Sequence, residues 1–169
     1  MHTYVSFSDE CFMAMVTNHI SNTIEHGRVA ETRRVIEAQP KLKQFLSGKK
    51  SIAALEGWSM RKTLLGPLQL ACYHSHARLV ALLVKEFGVP VDCIQKHDSG
   101  KYAGSWSPLH LAIFEGNQAM VECLLELEAD DTLDGEIGGT YFDSALELAE
   151  KLDKQDIVQC LKVGGRTSN

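Results

Sequence analysis

The chain has 169 residues, 44% apolar and 23% charged, with a formal net charge of -5. This suits one globular domain with a real core, and the mild acidity argues against nucleic acid, whose binders show a basic face. Cys11, Cys72, Cys93, Cys123 and Cys160 form an odd set with no Cys-x-x-Cys pair, which argues against a secreted disulfide scaffold and for a reducing compartment.

The opening "MHTYVSFSDE" lacks a basic start followed by an apolar run, so no secretory signal is expected. The longest apolar-rich stretch, "RLVALLVKEF", is far short of a membrane span, and no membrane partner is expected. "HISNTIEHGRVAETRRVIEAQPKL", residues 19–42, then holds a turn at Gly27 and an amphipathic helix after it. "SGKKSIAALEGWSMRKTLL", residues 47–65, is a long connection with room for a short helix at "SIAALEG". Its "GKK", with Arg61 and Lys62, makes a local basic cluster, read as a solvated loop face.

Residues 66–84, "GPLQLACYHSHARLVALLV", begin an internal repeat. Shifted by 41, they lie over residues 107–125, "SPLHLAIFEGNQAMVECLL": Pro67 meets Pro108, Leu68 meets Leu109, and Leu70-Ala71 meets Leu111-Ala112. Residues 144–162, "SALELAEKLDKQDIVQCLK", follow with a shift of 37, and Val158 and Leu161 fall under Val121 and Leu124. Each unit predicts two short amphipathic helices. The first is capped by Gly66, Ser107 or Ser144, with proline placed where the first helical N–H needs no partner. The chain reverses at Ser75, Gly116 or Asp153. Between units, "DCIQKHDSGKYAGSW", residues 92–106, holds strand-like "VDCIQ" and a "HDSG" turn, which predicts a protruding hairpin finger. "GEIGG", residues 135–139, lacks the lysine of a phosphate-cradling loop and reads as a flexible tip.

"SPLHLAIFEGNQAMVECLLELEAD" resembles the ankyrin repeat, whose signature is T-P-L-H-x-A: Ser107 takes the threonine place, and Pro108, Leu109, His110 and Ala112 match outright. The resemblance implies an all-α ankyrin-repeat solenoid with extended hairpin-like loops. It would be a single domain over 1–169, in units of about 9–46, 62–92, 103–132 and 140–164, with long loops at 47–65 and 92–106. Three departures stand out. Ser75 and Asp153 replace the glycine of the inter-helix turn. Glu128 replaces the glycine that closes the second helix, so a poorer cap is expected there. The turn residues Gly27, Ser75, Gly116 and Asp153 are 48, 41 and 37 residues apart, against a family period of about 33.

The alignment also disperses the one stretch that looks like metal chemistry, "CYHSH" at 72–76. Cys72 falls in an apolar packing slot. His76 falls in a polar slot where family members hydrogen-bond across turns. Tyr73 and His74 fall at the end of the first helix, toward the concave side. Zinc needs three or four convergent ligands, and no metal or other cofactor is expected. His110 reads as a structural histidine, because Gln69 and Glu147 stand at its place in the neighbouring units. Cys11 with His19 or His26 would be a nucleophile–base combination, but it lacks an identifiable orienting carboxylate.

By resemblance, function falls to the concave face and the fingers, and the expected activity is non-catalytic binding of another protein by a monomer. The candidate partner-binding residues are Tyr73, His74, Lys101, Tyr102, Trp106, Phe114, Glu115, Tyr141 and Lys151. Five of them are aromatic in a chain with only 7% aromatics, and such side chains dominate interface hot spots. The alternatives are an inhibitor masking a kinase or transcription factor, a pathogen effector imitating host ankyrin proteins, and a cysteine-dependent enzyme. The expected location is the cytoplasm, with the nucleus or a host cytosol as alternatives.

Overall fold

The computed structural model describes residues 18–47 and 65–164. Cys11, the start of the first unit, "SIAALEG" and the basic cluster at 48–50 and 61–62 lie outside them. Helix α1 covers 18–25, α2 Val29–Glu37 and α3 Pro40–Leu46. The repeats follow as α4 Pro67–Tyr73, α5 Ala77–Ala81, α6 Pro108–Glu115, α7 Gln118–Glu126, α8 Ala145–Lys151 and α9 Gln155–Gly164. Among the described residues no helix is long and apolar enough to cross a membrane.

The repeated residues make the core. Helix α6 packs between α4 and α8, and α7 packs on α9. Leu70, Leu111 and Leu148 are buried in matching places, as are Ala71, Ala112 and Ala149, then Val80, Val121 and Val158, then Leu83, Leu124 and Leu161. A fully buried leucine or valine contributes about 1.5–3 kcal/mol relative to exposure. Leu146, the counterpart of the fully buried Leu68 and Leu109, is only half-buried, in the last of the three aligned units.

The punctuation is local. Pro67 and Pro108 open their helices after Gly66 and Ser107, and Ser144 accepts the Glu147 N–H at 3.2 Å. All four turn residues take left-handed backbone: Gly27, Ser75, Gly116 and Asp153 have φ of 67°, 60°, 73° and 54°. Ser75 and Asp153 bear the strain that glycine would avoid. Glu128 is also left-handed, at φ 65°. Contrary to the poorer cap expected there, α7 closes fully: the Glu128 N–H donates to Leu125 O and the Ala129 N–H to Leu124 O, each at 3.0 Å.

One inserted residue leaves a visible trace. The closing bond of α7 spans five residues, whereas the matching bond after α5 runs from Val89 N–H to Leu83 O and spans six. The extra residue is absorbed by a turn of π-helix, Leu82–Glu86, continuing α5. Single-turn π-bulges accommodate such insertions. Glu86 from this turn pairs with Arg33 of α2, joining the first unit to the second.

The all-α expectation needs correction. Strands β1 Gln95–His97, β2 Gly104–Trp106, β3 Gly135–Ile137 and β4 Thr140–Phe142 form an antiparallel sheet in the order β1-β2-β3-β4. The finger at 92–106 is a hairpin, but its first strand starts only at Gln95: of the strand-like "VDCIQ", Val91 and Asp92 lie in a turn. A second hairpin follows, and the two join through Gly104↔Ile137 and Ser105↔Glu136. "GEIGG" is therefore no loose tip: its first three residues are β3, and Gly138 and Gly139 turn the chain with φ of 58° and 81°, as a two-residue hairpin requires. The glycines at the seam are there for space. A Cβ on Gly104 would stand 2.1 Å from the Glu136 carbonyl oxygen, and one on Gly135 would stand 2.5 Å from that of Ser105.

Candidate partner-binding face

Each of the three aligned units carries an N3 side chain that ties its first helix to the hairpin region. Gln69 donates to Cys93 O at 3.0 Å. His110, fully buried, takes the same place: its Nδ1 accepts the Ser107 N–H at 3.1 Å, so Nε2 carries the proton of the neutral ring. Nε2 lies toward the Leu133 carbonyl without closing a hydrogen bond of normal geometry. Burial pushes the His110 pKa down to about 4, against smaller upward pulls from Leu133 and Asp134. Glu147 accepts the Asp143 N–H, which holds its carboxyl below the usual range, with Lys151 adding to the effect. His76, as expected, links turns: its Nε2–H donates to Glu25 O at 3.0 Å. Its ring covers Gly27, where a Cβ would meet it at 2.9 Å.

Six of the candidate residues come together. Tyr73 at the end of α4 is 41% exposed and meets Tyr102 edge-on, centroids 6.3 Å apart. Tyr102 meets Phe114 edge-on at 6.0 Å. His74 stands against Tyr73 at 5.1 Å and stacks on His76 at 5.9 Å. Burial, together with the charges of His76 and His26, lowers the His74 pKa, and Glu25 opposes them. Glu115, at the end of α6, accepts from the Lys101 ammonium at 2.7 Å and from the Tyr102 hydroxyl at 2.8 Å. Burial first, then the Glu115 bond, pushes the Tyr102 phenol up to about 12. The Glu115 hydrogen bond raises the Lys101 pKa, so this ammonium stays charged throughout the physiological range.

Tyr141 and Lys151 form a second group on the last hairpin. Tyr141 is 69% exposed. Its carbonyl accepts from the Lys151 ammonium at 2.7 Å, and Lys151 also pairs with Glu147 at 2.9 Å. Phe114 of the first group rests on the β3–β4 turn, where a Cβ on Gly138 would meet its ring at 2.8 Å.

Trp106 must be moved off the contact surface. Its side chain is fully buried, its indole N–H donates to Tyr102 O at 2.8 Å, and its ring stacks on His97 at 5.3 Å. It supports the finger from beneath. Phe114 is half-buried and packs on the core, so it presents only part of its ring. Sequence reasoning missed the supporting residue Gly138 and the stacking of His97 beneath Trp106. Glu147 was legible from its place in the repeat opposite His110.

Of the other chemical candidates, Cys11 lies outside the described residues. Cys72 is buried, with its thiol pushed far up by burial. His19 faces Glu31 at 3.7 Å, and His26 Nδ1–H donates to Asn22 O at 2.8 Å. Among the described residues no three His, Cys, Asp or Glu side chains are grouped to hold a metal ion.

A family model described as "Ankyrin repeats (3 copies)" matches residues 42–135 of the 169. Among curated proteins no match is found. Ankyrin repeats are generally protein–protein interaction modules, and their domains are typically non-enzymatic. With the T-P-L-H-x-A counterpart opening α6, the left-handed turn repeated from pair to pair and the matching buried columns, the chain belongs to the ankyrin-repeat family.

Proposed function

We propose that the repeats form one solenoid domain, and that it is a non-catalytic module that binds another protein through the first-helix ends and the finger hairpins. The observation that carries this reading is the convergence of Tyr73, Tyr102 and Phe114, from three elements, with Tyr73 left 41% open. Half-open aromatic groups beside charged neighbours are the makings of an interface hot spot. The contact set is Tyr73, His74, Lys101, Tyr102, Phe114, Glu115, Tyr141 and Lys151, with Trp106 beneath it. The working unit is a monomer in the cytoplasm.

Affinity purification from the native cell, wild type against Tyr73→Ala, tests this. Truncating a hot-spot aromatic costs about 2 kcal/mol of binding, roughly thirtyfold in affinity, so the variant should lose the partner. Its melting temperature should hold, because the side chain is already partly solvated. Equal capture by both proteins would remove Tyr73 from the interface, and an unfolded variant would make it a core residue. If the recovered partner is an enzyme silenced by the complex, the module acts by masking; if its activity persists, the module acts by bridging.

A further inference from the structure

We infer that Lys101 fills, as an internal stand-in, a cage suited to the ammonium group of a partner's lysine. The inference rests on the partner-binding reading and names the chemistry recognised there. The Lys101 Nζ lies 2.7 Å from Glu115 Oε1, 4.9 Å from the centre of the Tyr102 ring and 5.8 Å from that of Phe114. One carboxylate and two aromatic faces thus surround a single cation, within the range where ring quadrupoles attract charge.

The walls of this cage are held without Lys101. The Tyr102 hydroxyl orients Glu115, and the Trp106 indole holds the Tyr102 carbonyl. Phe114 projects from α6 onto Gly138, where only a glycine leaves room for its ring. Tyr73 approaches Tyr102 from α4. The occupant is the loosest part. Lys101 sits in the loop between β1 and β2 with its side chain 59% exposed, and exposed ion pairs contribute little, so a cation bringing further contacts can displace it. The contact with Glu115 is a hydrogen bond, so the fitting ligand is a primary ammonium that can donate. A quaternary one cannot.

The full chain, labelled with nitrogen-15, is titrated with the pentapeptide Ac-Gly-Gly-Lys-Gly-Gly-NH2 and with the same peptide carrying norleucine for lysine. In Lys101→Ala the lysine peptide should shift the amides of Tyr73, Glu115 and Gly138 saturably. Wild type should need about fivefold more peptide, since Lys101 competes. Adding Glu115→Gln should abolish the shifts, and norleucine should produce none. Lys101→Gln, which keeps a polar loop side chain, should behave as Lys101→Ala does. The inference is overturned if neither Lys101 variant responds, if norleucine works as well as lysine, or if wild type and variants titrate alike. If the lysine peptide fails while Tyr73→Ala still loses the native partner, the partner face stands and the cage falls.

Discussion

Replacing Trp106 with alanine will lower the unfolding free energy by about 3–5 kcal/mol, the range for deleting a large buried aromatic side chain. Trp106 is fully buried, stacks on His97 and holds the Tyr102 carbonyl, so its loss opens a cavity and orphans a backbone acceptor at once. For a domain of this size the melting temperature should fall by roughly 10 °C. Trp106→Phe keeps most of the volume and loses chiefly the indole hydrogen bond, about 1 kcal/mol. Thermal and urea unfolding of the two variants check the ordering. Equal, small effects would mean that Trp106 is a surface residue. Because the Tyr102 backbone rests on Trp106, both variants should also weaken partner binding more than their distance from the partner suggests.

The second large effect is a loss of stability in acid that depends on His110. Its pKa is about 4 in the folded chain, against 6.5 for an ordinary histidine, because burial disfavours the charged ring. The unfolded chain therefore binds this proton more readily. The histidine's contribution to stability is intact above about pH 6.5 and is lost as pH falls from there toward 4. At about 1.4 kcal/mol per unit, the loss across that window is on the order of 3 kcal/mol. His74 and His97 are shifted the same way, also by burial, so the decisive quantity is a difference between variants. His110→Gln puts in this slot the residue that Gln69 supplies one unit earlier, where its amide reaches the hairpin carbonyl. The urea midpoint should fall far less between pH 7.5 and 4.5 for the glutamine variant than for wild type. Parallel losses in both would show that the acid sensitivity lies elsewhere.

The helical framework was legible because its signals are local and repeated. Leu-x-Leu-Ala, a proline after a small cap, and a turn residue at a fixed distance each fix a helix start or stop, and three in-phase copies fix the stack. The hairpins were harder. Residues 92–106 carried strand and turn signals, with the strand read a few residues too early, and Gly135–Gly139 read as a loop tip because glycine is poor in strands. Gly104 and Gly135 are needed there by the close approach of β2 to β3, a tertiary contact with no trace in either segment alone. The π-helical turn was illegible for a related reason: one inserted residue is obvious only when the closing bonds of two units are compared. Glu128 shows the converse, since a complete set of closing bonds holds a non-glycine residue in a left-handed place.

On the candidate face, the positions came from the repeat and the contacts came from the fold. The family pattern placed Tyr73, His74, Phe114 and Glu115 at the ends of α4 and α6, where the structure brings them together with Lys101 and Tyr102. It placed Trp106 on the same side as a residue of the preceding hairpin, but strand residues alternate between faces, and at the end of β2 this one points into the core. The dependence of Glu115 on both Lys101 and Tyr102 crosses two elements and had no sequence signal.

Hydrogen–deuterium exchange of the chain alone and bound to its purified partner tests the central claim most directly. Binding should slow exchange at 73–74, 101–104, 114–115 and 138–141, and leave the α7–α9 side unchanged. Protection confined to α7 and α9, with the finger hairpins exchanging as in the free chain, would put the partner on the opposite flank and contradict the account.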